Sequence, residues 1–421
     1  MASRRGSIGK DHLFAANGPV GRGEFRTPQG RCQSSGSPAI RRRDGYTSPV
    51  RGLPDSWKRS IGSGGAGLTL LLVRLGAMGD VLRALPALRA LRRDLPSSRI
   101  FWAVDDRWSP VIDGHPDLDG CIALPRRSIR HDLRSPAGWP SAISALRGFR
   151  RALRAERADL AVDFHGNLRS GLVTWWSGAP LRVGYEGHQQ KEGNRLFTTH
   201  RVPAGERRTS RVERNLELVR RIGIGTGGVI VPGELPLVAA GADRARVVLE
   251  QSGVAAKPFV LLSPAASAAQ SYKIPSAELF VGACRGAARQ GRPVLVVWGP
   301  GEQELARAVV ASAPEGRALL APPTDLATLA ALLSRAEAFV GADTGPLHLA
   351  CAVGCPVVAL YGPTDPVVNA PWGVPSRVVH PPGRSYTGIK RIDRREGFGG
   401  LRADTVEQAT EALLTELAAA R

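Results

Sequence analysis

Along the chain, short unbroken apolar runs alternate with longer stretches in which apolar positions recur every three or four residues. "LTLLLVRLG" predicts a buried strand, and in the following "DVLRALPALRALRRDLP" the positions Val81, Leu82, Leu85, Leu88 and Leu91 fall at helical spacing. "RIFWAVDD" and "CIALP" are the next strands. After a basic loop, "RRSIRHDLRSP", a helix over about 140–157 leads to "ADLAVDFHG" and "LRVGY", two more strands. The pattern restarts beyond the Pro/Gly-punctuated "IVPGELPLVAAG". "PFVLLSPAAS", "PVLVVWGPG", "AFVGADTG" and "PVVALYGPT" are predicted strands, with helices at "SAELFVGACRGAARQ", "GEQELARAVVAS", "DLATLAALLSRA" and "GPLHLACAVG". Runs without polar alternation mean strands buried on both faces, hence parallel sheets covered by helices. The expected class is α/β: two doubly wound halves parting near residues 232–245, a first domain over 67–235 and a second over 236–421 closed by a terminal helix. In such sheets ligands bind beyond the carboxyl ends of the strands, and here those ends carry Gly, Asp, Ser and Asn.

Composition adjusts this picture only in places. The chain has 421 residues, enough for two cores. Residues 1–66 are rich in Gly, Ser, Pro and Arg without sustained periodicity and are read as a basic, disordered extension, so that order is expected from about Leu68. Twelve basic and four acidic residues give this stretch a net +8, leaving +12 of the total +20 on the body. A basic body favours anionic partners. Nucleic acid is not expected among them, because no RNP-type aromatic pattern, zinc-finger spacing or zipper accompanies the charge. Five cysteines at 32, 121, 284, 351 and 355, without a CxxC pair, fit a reducing, cytoplasmic setting. The longest apolar run is too short to span a bilayer, and no signal segment is expected at the N-terminus.

The chemistry concentrates at strand ends. In "VRLGAMGDVLRALP", Gly76 and Gly79 permit a tight strand-to-helix turn and the approach of a ligand; Asp80 either caps the helix or reacts. The spacing GxxGD is not the dinucleotide fingerprint GxGxxG. In "ADTGPLHLA", Pro346 suits the first helical turn, and the amides around Thr344 and Gly345 suit a phosphate or diphosphate. Asp343 there caps the helix or accepts from sugar hydroxyls, and His348 is either packed or a donor to phosphate or sugar. Lys273 in "SYKIP" is solvated or a diphosphate partner. Glu302 and Glu304 after "WGPG" serve the helix dipole or a ribose. Asp163, His165 and Asn167 in "VDFHGNLRSG" are expected to face the same cleft, with a reach that suits a hydroxylated substrate. No P-loop, GxSxG elbow or HExxH is present, and the lone DxD at Asp117 to Asp119 reads as turn chemistry, so no metal site is expected.

In order along the chain, "LLVRLGAMGDVLRALPALRALRRDLP", "DLAVDFHGNLRSGLVTWWSGAPLRVGY", "KEGNRLF" and "FVGADTGPLHLACAVGCPVVALYGPTDPVVNAPWG" resemble the heptosyltransferases of glycosyltransferase family 9. The resemblance covers about residues 68–375. It implies a GT-B fold, two Rossmann-like domains facing a central cleft, with acceptor in the first half and ADP-heptose mainly in the second. It further implies inverting transfer to the lipopolysaccharide inner core without an obligatory metal or cofactor. By matching motifs Asp80 is then the general base; Asp343, Thr344, Gly345 and His348 hold the donor, and Glu302 the nucleoside. Gly79, Asp163, His165 and Asn167 fall on the acceptor side or the cleft.

Two departures from the family pattern bear on the donor. A K-x-W-P segment here reads "YKIP", placing Tyr272 at the basic position, shifting Lys273 by one and replacing Trp by Ile274. A preceding His-Pro-Gly turn is Ser263-Pro264-Ala265. The rival readings are a GT-B enzyme using another nucleotide sugar for O-antigen or exopolysaccharide, and a non-catalytic nucleotide-sugar-binding protein; an epimerase of similar shape is a weaker third. An anionic glycolipid acceptor also suggests peripheral contact with the inner membrane through the 125–134 arginines.

Overall fold

The computed structural model describes residues 53–255, 257–264, 272–386 and 397–421, all within one compact unit. One six-stranded sheet contains β1 (Thr69–Val73), β2 (Arg99–Asp105), β3 (Gly120–Leu124), β4 (Leu160–Asp163), β5 (Leu181–Tyr185) and β6 (His200–Val202). A second contains β7 (Val260–Ser263), β8 (Val294–Val296), β9 (Ala318–Leu320), β10 (Ala338–Ala342), β11 (Val357–Leu360) and β12 (Ser376–Val379). Every pairing is parallel. The orders are β3-β2-β1-β4-β5-β6 and β12-β11-β10-β7-β8-β9, so the second sheet repeats the first. Each therefore reverses direction between its first and fourth strands, and the crevices open beyond β1/β4 and β7/β10.

The strands absent from the sequence reading are β6, β9 and β12. Each is three or four residues long and lies at a sheet edge, where one side is unpaired and no continuous apolar run is required. The single helix expected after β1 is two, Met78–Leu82 and Leu85–Asp94, because Pro86 has no amide to donate and its ring would clash with the carbonyl four residues back. The basic loop contains a helix, Arg126–Asp132.

At the N-terminal end the expected start near Leu68 is corrected. A helix, Asp55–Gly62, precedes it; Trp57 on that helix is 3% exposed and donates its indole N–H to the Ile222 carbonyl at 2.8 Å. A single tryptophan in a polar, Gly-flanked segment gives no periodic signal, yet it packs into the main core. The part of the proposed extension spanning residues 1–52 lies outside the described residues.

Alternation along each buried strand divides its side chains between two cores. On β1, Leu71 and Val73 join an outer cluster with Phe149 and Leu153, whereas Leu70 and Leu72 point inward. On β7 and β10, Val260 and Val340 join the second sheet's outer cluster, whereas Leu261 and Phe339 point inward. The inward residues of both sheets belong to one continuous cluster, through Val81, Leu82, Leu347 and Leu349. The two halves thus share a core at the site where their strand ends meet.

Trp57→Ala is expected to lower unfolding free energy by about 3 kcal/mol, the usual cost of emptying a buried aromatic site. Urea denaturation would measure it; an unchanged midpoint would mean that this helix contributes nothing to the body.

Candidate active site

Past β1 the chain runs through Arg74 and Gly76 into the helix Met78–Leu82, whose N-cap is Ala77 with no side-chain cap bond. Asp80, in the third helical position, therefore does not cap. Its carboxylate is held by guanidiniums: Arg74 Nη2 at 2.6 Å from Oδ2, Arg211 Nη1 at 2.8 Å from Oδ1, and Arg83 Nη1 at 3.8 Å. Burial pushes the Asp80 pKa up, but Arg74, Arg211 and Arg83 outweigh it and hold the group well below the usual carboxylate range.

Past β10, Asp343 and Thr344 lead into the helix Gly345–Ala352. Thr344 is the N-cap but makes no cap bond; its hydroxyl donates back to the Ala342 carbonyl. The buried Asp343 carboxylate does not cap either. His348 Nε2 lies 3.1 Å from Oδ1, and Lys273 Nζ lies 3.3 Å from Oδ2 and 2.9 Å from the Asp343 carbonyl. Lys273, displaced by one in sequence, still reaches this strand end. Burial again opposes ionisation of Asp343, and His348 and Lys273 reverse the balance, so its pKa is strongly lowered. His348 is driven the other way: burial and the adjacent Arg83 charge push it down to about 4, leaving the ring neutral at pH 7. Cys351 and Cys355, which follow on this segment, are free and buried.

The two strand ends meet directly. Arg83 bridges them, donating to the Gly79 carbonyl at 3.0 Å and to Asn369 Oδ1 at 2.9 Å, with its Nη2 2.9 Å from His348 Nε2. A Cβ on Gly79 would lie 2.6 Å from His348 Cδ2, and one on Gly345 would lie 2.2 Å from Met78 Cε. Both glycines were expected to admit a ligand; here they admit the opposing half. Counting Arg74, Arg83, Arg211 and Lys273 against Asp80 and Asp343, with His348 neutral, this junction carries a net +2. Such an excess invites an anion.

Past β4 the three polar residues divide. Asp163 is fully buried, against the expectation that it faces the cleft. It accepts from the amides of His165 (2.8 Å) and Gly166 (3.1 Å), from Ser170 Oγ (2.8 Å) and from Asn194 Nδ2 (2.7 Å), and so organises the turn. Burial pushes its pKa up against those four bonds. Asn167 caps the helix Leu168–Trp176, accepting from the Ser170 amide at 3.0 Å in a capping box. That bond fixes its amide orientation, so Nδ2 donates to His165 Nε2 at 3.2 Å and the His165 proton sits on Nδ1. Nδ1 is buried and, among the described residues, has no hydrogen-bond partner. Burial, with Arg74 adding to it, pushes His165 down to about 3.

Two cavities open at this point, and Asp80 and His165 line both. One, of about 360 Å³, is bounded by Arg74, Arg83, Arg211, Arg214 and Lys191, with Asn167 and Tyr185. The other, of about 730 Å³, is bounded by Trp108 and by Arg107, Arg126, Arg127, Arg130 and Arg169. Neither is lined by Asp343, Thr344, Lys273 or Glu302. Glu302 closes its own turn, accepting from the Gly299 amide at 2.7 Å; burial pushes its pKa up against that bond. Glu304 is exposed.

The profile of glycosyltransferase family 9 (heptosyltransferase) matches residues 146–391, more than half of the chain. The chain belongs to this family. The glycosyltransferase is 26% identical over 313 residues to lipopolysaccharide heptosyltransferase 1 of Pseudomonas aeruginosa, covering 73% of this chain and 82% of that one. Its fold matches a family 9 glycosyl transferase from Veillonella parvula with a TM-score of 0.65 at 21% identity, covering 83% and 98% of the two chains. It likewise matches the E. coli heptosyltransferase WaaC with ADP, TM-score 0.64 at 23% identity, covering 82% and 100%. The two sheets with their flanking helices are the GT-B fold.

The sequence reading of this glycosyltransferase did not single out Arg74, Arg83, Arg211, Arg214 or Lys191. Two of them carry a local signal. Arg74 is an arginine directly behind a fully apolar strand, and Arg83 lies one helical turn after Asp80.

His348 and His165 set a pH dependence. Both have pKa values below the ordinary 6.5, so the unfolded chain binds more protons than the folded one as pH falls. Stability is complete above 6.5 and is lost progressively as pH drops toward 4. His165→Asn is expected to flatten the slope of unfolding free energy between pH 6.5 and 4, measured by urea titration at each pH; an unaltered slope would refute the neutral buried ring. The lowered carboxylates Asp80 and Asp343 act only below their ordinary 3.8, outside that window.

Proposed function

We propose that this glycosyltransferase transfers a heptose from ADP-heptose to the anionic inner core of lipopolysaccharide, with inversion, and that Asp80 is its general base. The observation that carries this reading is the position of Asp80: mostly buried, lining two arginine-rich cavities, and one side chain away from the Asp343–His348–Lys273 cluster of the other half. An acceptor hydroxyl entering from the cavity side loses its proton to Asp80 as its oxygen bonds to the anomeric carbon, and the bond from that carbon to the diphosphate breaks. Charge growing on the diphosphate is met by Lys273 and by the free amides at the start of the helix Gly345–Ala352. Asp343 orients Lys273 and His348, Glu302 shapes the nucleoside turn, and His165 forms part of the wall along which the acceptor enters. The name of the Pseudomonas relative supports the acceptor, and the E. coli enzyme solved with ADP-2-deoxy-2-fluoro heptose supports the donor.

The acceptor's lipid anchor requires a membrane surface, and the exposed face of the helix Arg126–Asp132 supplies Arg127 and Arg130 to an anionic one. Among the described residues no helix is long and apolar enough to cross a bilayer. A second reading, the same chemistry with another nucleotide sugar, is favoured by one observation: Ile274 and Ser263 stand where the family pattern has Trp and His.

Three measurements test these statements. Offered a panel of nucleotide sugars and delipidated core acceptors, the enzyme is expected to add a heptose mass. Asp80→Asn is expected to cut turnover by about two to four orders of magnitude while donor binding is largely kept; near-normal turnover would refute the base. Binding to anionic vesicles is expected to weaken as salt rises and in Arg127→Gln/Arg130→Gln; salt-insensitive binding would remove the guiding role.

A further inference from the structure

As it stands, the Asp80 carboxylate is poorly placed to take a proton. Oδ2 is covered by Arg74 and Oδ1 by Arg211. The three surrounding guanidiniums are not equivalent. Arg74 is buried and also donates to the Phe164 carbonyl; Arg83 is buried and anchored on Gly79 and Asn369. Arg211 is different. Its side chain is 42% exposed and its Nη1 meets Asp80. One helical turn along Arg211–Arg220 stands Arg214, on the same face, and both residues line the smaller cavity. Two guanidiniums on one wall of a cavity suit a carboxylate or phosphate.

We propose that Arg211 is a removable counter-ion of Asp80: the anionic group of the incoming acceptor draws its guanidinium onto the Arg211–Arg214 face and uncovers the oxygen that receives the hydroxyl proton. This deepens the heptosyl-transfer reading and rests on it. Arg211 is thus a positioning residue for the base as well as a contact for the acceptor. In the absence of acceptor the covered carboxylate does not activate water, which spares the donor from hydrolysis. Besides Arg211, the charged and titratable groups facing Asp80 are Arg74 behind β1, Arg83 on its own helix, His165 behind β4 and His348 from the second half. Once Arg211 leaves, Arg74 and Arg83 keep Asp80 ionised at neutral pH, so it is uncovered without being protonated.

The test uses the full chain with Arg211→Gln and Arg211→Lys, each checked for folding by thermal denaturation. Removing one opposite charge within contact distance raises a carboxylate by one to three pH units, and half of that appears in the rate, so Arg211→Gln is expected to speed acceptor-independent donor hydrolysis roughly tenfold. The acceptor KM rises, and the acid limb of kcat/KM moves up toward that of kcat. Arg211→Lys keeps the charge and is expected to keep hydrolysis low. Independently of any sugar, carbon-13 titration of the Asp80 carboxyl, assigned with Asp80→Asn, is expected to shift upward when inorganic phosphate is added to the wild type and not when it is added to Arg211→Gln. Unchanged hydrolysis in Arg211→Gln, or an Asp80 titration that responds to neither the substitution nor phosphate, would overturn the proposal. Failure of the wild type to transfer any sugar would instead defeat the heptosyltransferase reading, and the titration would still decide whether Arg211 is removable.

Discussion

Everything at the site depends on how closely two short helices approach one another. The helix after β1 and the helix after β10 touch through Gly79 against His348 and Gly345 against Met78, separations that leave no room for a Cβ. This contact lets Arg83 span from one half to the other and brings Asp80 and Asp343 under a common set of cations. The His348 ring is held at Nε2, which lies within hydrogen-bond distance of both Asp343 and Arg83, so a side chain on Gly79 would have to displace a bonded, buried group. The Met78 methyl facing Gly345 is the free end of a flexible chain and yields more readily.

Burying so many ionised groups is costly unless each finds a partner. The arrangement answers that cost unevenly. The histidines are left neutral, the carboxylates are over-supplied with cations, and the net excess is positive. A site of this kind is incomplete by itself: its charge balances only when an anion is present. Both partners of the proposed reaction, a diphosphate and an acidic glycolipid, are of that sign.

Much of this was legible in the sequence, for reasons that differ by element. Central strands announce themselves because both faces are apolar; edge strands such as β6, β9 and β12 do not. Asp80, Asp343, His348 and Lys273 were legible because each sits at a strand-to-helix turn whose local residues are distinctive. Asp163 has the same local signature, but what it does depends on Ser170 and on Asn194, 31 positions away, so its burial could not be read. Arg211 lies 131 residues from Asp80 in a stretch where arginine is common, and only the fold selects it. Gly79 and Gly345 were legible as points of close approach, and the fold brings His348 against the first and Met78 against the second.

The continuous core behind the site has a consequence for how the protein behaves as a chain. Leu70 and Leu72 of the first sheet lie in the same buried cluster as Leu261 and Phe339 of the second. Severing the polypeptide near residues 232–245 would therefore leave each fragment with a wet, half-built interior, whatever its own sheet topology. The halves are repeats in architecture with one shared interior, so a single cooperative melting transition is the expected behaviour.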